Sequence, residues 1–204
     1  MKKIVLATAI AALSTAASAQ YYVQGDVGYS KLEAKFEDVK IKDNATSYSV
    51  AVGKDLGNIR YQADYTSFGK LEDRGEDEGG LTVVGNDAWE TSVKTQSIGL
   101  SAIYDFQTVS GFTPYAGVRL GINQLKYEEN VKYSTIGDSD AYTVESASYS
   151  SKDTKVGAGV LAGVQYAINP QLAVDVAAEY NHLGKVDDIK FNQYGAKVGL
   201  RYNF

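Results

Sequence analysis

The chain has 204 residues, among them 20 glycines, 16 tyrosines, 2 prolines and no cysteine, and a formal net charge of -5. Without cysteine there is no disulfide framework and no thiolate metal site. An acidic chain with no basic cluster also argues against nucleic acid as a partner.

The N-terminus reads as an export signal. Lys2 and Lys3 make a basic start, Ile4 to Leu13 an apolar run, and Ala17-Ser18-Ala19 a small-residue cleavage site. Cleavage is expected between Ala19 and Gln20, leaving 185 residues with a net charge of -7 once Lys2 and Lys3 are lost. A retained anchor would need about 20 apolar residues, and Thr8, Ser14 and Thr15 interrupt a run that is already too short. No later stretch is long and apolar enough for a spanning helix.

From Gln20 onward the chain alternates with a period of two, the signature of strands with one apolar and one polar face. The first strand, about 21–31, sets Tyr21, Val23, Val27 and Tyr29 against Gln24, Asp26, Gly28 and Ser30. The second, about 46–54, carries Tyr48, Val50 and Val52, and Asp55-Leu-Gly-Asn58 turns it back. The third sets Ile59, Tyr61, Ala63 and Tyr65 against Arg60, Gln62, Asp64 and Thr66. The fourth, about 92–106, has Ile98, Leu100, Ala102, Tyr104 and Phe106 on its apolar side, with Ile103 breaking the polar parity. In the fifth, Ala116, Val118, Leu120 and Ile122 alternate with Tyr115, Gly117, Arg119, Gly121 and Asn123. The sixth runs from Val156 to Tyr166, Asn169-Pro-Gln171 turns it, and the seventh carries Leu172, Val174, Val176, Ala178 and Tyr180. The eighth ends the chain, with Tyr194, Ala196, Val198, Leu200, Tyr202 and Phe204 on one parity.

Eight strands joined by alternately short and long connections describe an all-β, eight-stranded antiparallel up-and-down transmembrane β-barrel. Short turns mark the periplasmic end of such barrels and long loops the outer end. Both termini therefore belong at the periplasmic end. Loops of about 32–45, 70–91 and 128–151, with a short fourth at about 184–189, belong outside.

A soluble eight-stranded carrier would show the same alternation with its apolar side inward. Glycine decides between them. Gly28, Gly53, Gly99, Gly117, Gly121, Gly157, Gly159, Gly163, Gly195 and Gly199 all share the polar parity. A solvated face gains nothing from glycine, which weakens strands, whereas the bore of an eight-stranded barrel has room only for small side chains. The polar parity is thus the inside. Aromatics on the apolar parity collect near the strand ends, as two interfacial girdles about an apolar band would.

The inward list includes Asp26, Asp64, Asp105, Asp175 and Glu179 together with Arg60, Arg119, Lys197 and Arg201. In so narrow a bore these charges are expected to pair into a network that plugs the lumen, because one left unpaired there costs several kcal/mol. A steadily conducting open pore is therefore not expected. Neither is catalysis. The one histidine, His182, lies on the outward parity with no serine or acid placed to make a nucleophilic or general-base pair. Asn44-Ala-Thr46 matches a glycosylation pattern that needs a eukaryotic secretory route, and the glycines of 157–163 lack the strand–turn–helix setting of a dinucleotide loop. Glu76-Asp-Glu78 and Asp138-Ser-Asp140 lack the ordered spacing of a calcium loop. No metal or other cofactor is expected.

Pro114-Tyr-Ala-Gly-Val-Arg-Leu-Gly121, the terminal Lys197-Val-Gly-Leu-Arg-Tyr-Asn-Phe204 and the layout of three long loops and a short fourth resemble the opacity family of small outer-membrane barrels, neisserial opacity proteins and surface protein A among them. The resemblance spans the whole mature chain. It implies insertion in the outer membrane of a Gram-negative cell, among its lipids and lipopolysaccharide, and, in the opacity branch, adhesion to host-cell receptors through the loops. It also implies that Tyr202 and Phe204 form the end-of-chain signal read by the barrel-assembly machinery. No receptor-contact residue carries over. The loops themselves offer Trp89, Tyr133, Tyr142 and Tyr149 as candidate contacts with host receptors or serum proteins, since aromatics in mobile loops make good anchors. Residues 70–91 add seven acids against two bases. Two classes of function stay open: a surface interaction protein, and a structural envelope barrel without a dedicated ligand, with a minor passive channel third.

Overall fold

The computed structural model describes residues 20–36, 39–78, 86–136, 142–186 and 189–204, and at the far ends of the tall hairpins it gives strand pairing alone. Eight strands follow one another: β1 (Gln20–Phe36), β2 (Val39–Asp55), β3 (Ile59–Glu78), β4 (Asn86–Asp105), β5 (Phe112–Ile136), β6 (Tyr142–Ala167), β7 (Leu172–Val186) and β8 (Ile189–Asn203). Each pairs antiparallel with the next, and β8 closes on β1 with Tyr22 opposite Asn203 and Asp26 opposite Gly199. Closure over the stretch where all eight strands pair leaves no open sheet edge there, which is the condition for a sheet to sit in hydrocarbon, where unpaired N–H and C=O groups find no water.

The alternation maps onto the two faces as glycine placement indicates. Val118, Leu120 and Val160 are 59%, 64% and 55% exposed, and Ile98, Leu100 and Val156 are more exposed still. Arg119, between Val118 and Leu120, is 6% exposed, and Asp175, between Val174 and Val176 on β7, is 0% exposed. The inward glycines stand where a methyl group has no room. A Cβ on Gly28 would lie 2.4 Å from the Ala196 carbonyl oxygen, and one on Gly99 would lie 2.4 Å from the Arg119 guanidinium. Gly25, on the outward parity, would meet nothing within 4 Å.

Local chemistry closes the short turns. Asp55 Oδ1 accepts the Gly57 N–H at 2.9 Å, and Gly57 takes a positive φ of 98°. Asn169 Oδ1 accepts the N–H groups of Gln171 and Leu172 at 2.9 and 2.8 Å. Between β4 and β5, Ser110 and Gly111 have φ of 52° and 85°, the left-handed pair that reverses the chain.

At the other end the strands outrun the apolar band. A membrane crossing needs about 9–11 tilted residues, yet β3 and β4 have 20 each and β5 and β6 have 25 and 26. The stretches 32–45, 70–91 and 128–151, expected as loops, are in large part ladder: Leu32 pairs with Asp43, Arg74 with Glu90, and Ile136 with Tyr142. Apolar alternation stops where lipid stops, but backbone hydrogen bonding does not need it, so the hairpins continue as polar ribbons. Two register shifts interrupt them, at Ser67/Gly69 on β3 and His182/Gly184 on β7. Each has a glycine of positive φ, 99° at Gly69 and 120° at Gly184, which a bulge of this kind requires.

Candidate functional site

The bore is filled in layers. Nearest the outer mouth, Leu32, Phe68 and Leu183 are 1–2% exposed and pack together with Val93 and Phe191. Phe68 and Leu183 reach this cluster on the inward parity of their strands, two residues beyond Thr66 and Asn181, at the two bulges where the regular pairing shifts. The result is an apolar stopper across a polar bore.

Below it lie charges. Arg119 reaches across from β5 to Asp64 on β3, donating from Nε at 3.0 Å and Nη2 at 2.6 Å, and Nη2 also donates to Ser97 Oγ at 3.0 Å. Thr66 Oγ1 donates to the same carboxylate at 2.8 Å. Lys197 stands between two acids, 3.7 Å from Asp26 and 3.4 Å from Glu179. Asp26 is held further by Ser49 Oγ at 2.7 Å and Gln24 Nε2 at 2.8 Å. Asn181, Gln193 and Glu179 continue the chain of hydrogen bonds at 2.7 and 3.1 Å.

Nearer the periplasmic mouth the bore tightens on aromatic rings. Ile103, Tyr115 and Ala177 form a second buried cluster with Leu161 against it. Arg60 binds Asp105 through two nitrogens at 2.7 and 2.8 Å and lies over the Tyr115 ring, 4.8 Å from its centroid. Arg201 lies 3.9 Å from the Tyr22 ring centre and donates to Asp55 Oδ2 at 2.6 Å, Gln165 at 3.0 Å and Asn203 at 2.7 Å. A vestibule of about 610 Å³ opens beyond this layer, lined by Asp55, Asn58, Asp105, Gln165, Arg201 and Asn203 among others.

The structure thus brings together eight of the nine charges read as a lumen network, through two bidentate arginine pairs, one shared lysine and one arginine on a residue the sequence reading placed in a turn, Asp55. Asp175 stands apart. It is fully buried, accepts the Tyr115 hydroxyl at 2.9 Å through Oδ1, and among the described residues has neither a cation within salt-bridge distance nor a hydrogen-bond partner for Oδ2. Tyr22 and Tyr115, which floor the bore, were not identified as site residues. An aromatic on the polar parity was the available signal.

The outward girdles are visible as ring pairs. Tyr180 and Tyr194 stand 5.1 Å apart toward the outer side, Tyr104 and Phe106 5.3 Å and Phe112 and Tyr166 4.7 Å apart toward the periplasmic side. Phe204 meets Tyr202 edge-on at 5.4 Å, and its N–H donates to the Tyr21 carbonyl at 2.9 Å, so the last residue is stitched to the first strand. His182 Nδ1 lies 2.8 Å from Asn192 Oδ1, which also accepts the Tyr180 hydroxyl at 3.2 Å. Among the described residues no group of three or more acids, histidines or cysteines is placed to hold a metal ion.

Of the candidate contact residues, Tyr149 is 65% exposed on the β6 ribbon. Trp89 pairs in the ladder with Gly75 and Val131, Tyr133 with Glu145, and Tyr142 with Ile136. All four stand on the β3–β4 and β5–β6 hairpins beyond the apolar band. Residues 1–19, with the expected cleavage at Ala19, lie outside the described residues, as do 187–188 in the fourth connection.

Sequence and structural comparisons agree with this architecture. The family described as Opacity family porin protein matches residues 52–204. Protein opa of Haemophilus influenzae is 35% identical over 153 residues, covering 75% of this chain and all of that protein. Opacity protein opA51 of Neisseria gonorrhoeae is 29% identical over 189 residues, covering 80% of each. Among solved structures, neisserial surface protein A superposes with a TM-score of 0.57 at 29% identity, over 90% of this chain and 97% of that one. A closed barrel with an apolar outer band, a charged and filled bore and these relatives leads to one assignment: the chain is a bacterial outer-membrane protein and belongs to the Opacity family.

Proposed function

We propose that this barrel is a surface interaction protein, which binds host-cell or serum components through its β3–β4 and β5–β6 hairpins. The observation that carries the reading is the division of labour along the strands. The membrane part is filled by buried side chains, while β5 runs on to Ile136 and β6 starts at Tyr142, far past the last apolar row at Ile122 and Val156. A barrel that served only to brace the envelope would have no use for ribbons of that height. Antiparallel pairing out to Glu78–Asn86 and Ile136–Tyr142 keeps the ribbons in register, so a partner meets a surface ordered in advance. Adhesion is consistent with the family and supplies the class of partner.

The test uses a strain lacking the protein, complemented either with the full chain or with a version in which both hairpins are cut back to about residues 70–91 and 128–151 removed. Binding to host cells should return with the first and not with the second, at equal outer-membrane levels. Equal adhesion by the two would defeat the proposal and favour the bracing role.

A further inference from the structure

The vestibule stands at the end of the barrel away from the tall hairpins, where the short turns lie. Its volume of about 610 Å³ falls in the range of roughly 300–1,000 Å³ that small-molecule sites occupy. Those sites are lined mostly by apolar side chains, whereas carboxamides dominate this wall. Gln20, Asn58, Gln107, Gln165, Asn169 and Asn203 all line it, and Thr108 and Thr113 stand among them with their hydroxyls 2.7 Å apart.

Three charged side chains also line the cup, Asp55, Asp105 and Arg201, and each is spent within the barrel. Asp105 gives both oxygens to Arg60. Asp55 accepts from Arg201 through Oδ2 and from the Gly57 N–H through Oδ1. Arg201 donates to Asp55, Gln165 and Asn203 and lies over the Tyr22 ring. With Arg60 counted, these side chains sum to no net charge. An ionic ligand would have to break one of the pairs and leave its partner stranded, which costs more than one exposed contact returns.

What is left to bind with is neutral. Gln165 is the one buried carboxamide of the six, at 7% exposure. Its Oε1 is taken by Arg201, and its Nε2 has no partner. A buried donor so placed destabilises the fold unless something accepts from it. Asn58 and Gln107 are exposed nearer the mouth, and each carboxamide presents a donor and an acceptor side by side. Tyr104 and Phe106 also line the cup, their rings edge-on at 5.3 Å.

We infer that the vestibule is a binding site for an uncharged N-acetylated amino sugar, carried by the cell-wall glycan beneath the outer membrane or free in the periplasm. Hydroxyl and acetamido groups each accept and donate, which matches a wall of carboxamides and threonines. The acetamido oxygen is the acceptor that Gln165 Nε2 lacks, and the C–H face of a sugar ring can lie against Tyr104 and Phe106. A peptide offers similar groups, but in an extended chain that adds to a sheet edge. At this end every strand is already paired on both sides.

The experiment is a proton–nitrogen NMR titration of the folded barrel in neutral detergent micelles. Diacetylchitobiose is the neutral probe, and its deacetylated ammonium form and a disaccharide of hexuronic acid are the charged controls. The side-chain amide signals of Asn58, Gln107 and Gln165 should shift and saturate with the neutral probe, and the charged controls should bind at least about fivefold more weakly, a loss equal to one net hydrogen bond. Gln165→Glu keeps the acceptor that Arg201 uses and removes the donor, and it should weaken binding by about the same factor, as should Asn58→Ala and Gln107→Ala. Tyr149→Ala, on the far hairpin, should change nothing. Folding of each variant is read from the heat-dependent shift of its gel mobility, and the two exposed alanine variants decide the matter if Gln165→Glu does not fold. Cosedimentation with protein-free cell-wall sacculi identifies the source: pelleting by the parent and not by the variants supports the wall glycan, and disaccharide binding without pelleting supports a free sugar at the same site. No saturable shift with the neutral probe, equal binding of the charged controls, undiminished binding by the variants or an equal loss with Tyr149→Ala would overturn the assignment.

Discussion

The Asp64–Arg119 pair gives the sharpest test of how the bore is held. Both side chains are nearly inaccessible, at 5% and 7%, and are joined by two charge-assisted hydrogen bonds at 3.0 and 2.6 Å. Asp64→Ala strands a guanidinium with Ser97 Oγ and the face of Phe68, 5.8 Å away, as its neighbours. Breaking one side of a buried pair costs about 3–5 kcal/mol, and Arg119→Met should cost the same by stranding the carboxylate. The double variant Asp64→Leu/Arg119→Met leaves no buried charge behind. It loses only the two hydroxyl contacts, at about 1 kcal/mol each, so it should fall within about 2 kcal/mol of the parent. Equilibrium urea unfolding of the barrel in lipid vesicles measures all three. Single losses below about 1 kcal/mol, or a double loss equal to their sum, would refute the view that this pair is a desolvated and coupled unit. Planar bilayers read the same layer independently: the parent barrel should show no steady single-channel conductance.

Four further outcomes follow. Gly99→Ala sets a methyl group against the Arg119 guanidinium and should cost about 1–3 kcal/mol, while Gly25→Ala, which meets nothing within 4 Å, should be neutral within about 0.5 kcal/mol; urea midpoints compare them. Asp175→Asn keeps the Tyr115 hydrogen bond and removes a buried carboxylate that has no cation, so stability should rise by about 1–3 kcal/mol, and a clear loss in the same assay would mean the charge is compensated. Lys126 and Lys94 beside Glu128 pull its carboxyl down to about 2, so the contact is intact above the ordinary value of 4.5 and is lost as pH falls toward 2; a carboxyl carbon NMR titration with a midpoint near 4.5 would contradict this. Deleting Phe204 removes the Tyr202 ring contact and the hydrogen bond to Tyr21, and outer-membrane levels on fractionated cells should drop, normal levels counting against a terminal assembly signal.

Much of the barrel was legible because two faces of one strand meet two different media. Val118-Arg119-Leu120-Gly121 can be read without coordinates, since lipid wants the first and third residues and a crowded bore the second and fourth. What escaped has a common cause. Alternation reports burial, not hydrogen bonding, so the polar ribbons at 70–78 and 128–136 looked like loops although their backbones pair throughout. Phe68 and Leu183 keep the inward parity of Asp64 and Thr66 and of Asp175 and Asn181, but they lie just past the end of the regular apolar alternation, where the strands go on into the bulges. In Ser67-Phe-Gly69 and His182-Leu-Gly184 the trace was a bulky apolar residue followed by glycine, each at the outer end of a strand. Asp55 was read as a turn former, and it is one through Gly57, yet its second oxygen holds Arg201.

These misses bear on function through the direction in which the barrel is built. Leu32, Phe68 and Leu183 set apolar side chains on the inward parity at the outer mouth, so the bore is closed just where the ribbons begin. Below that level each inward residue is constrained by its neighbours within a few tenths of an ångström, as the contacts of Gly28, Gly99 and Gly159 show. Above it, the strands go on as paired ladders with no bore to fill, joined at places by ion pairs such as Lys94–Glu128. Changes in the hairpins therefore need not touch the layers that fill the bore, and a barrel so divided can vary its exposed ribbons while keeping its fold.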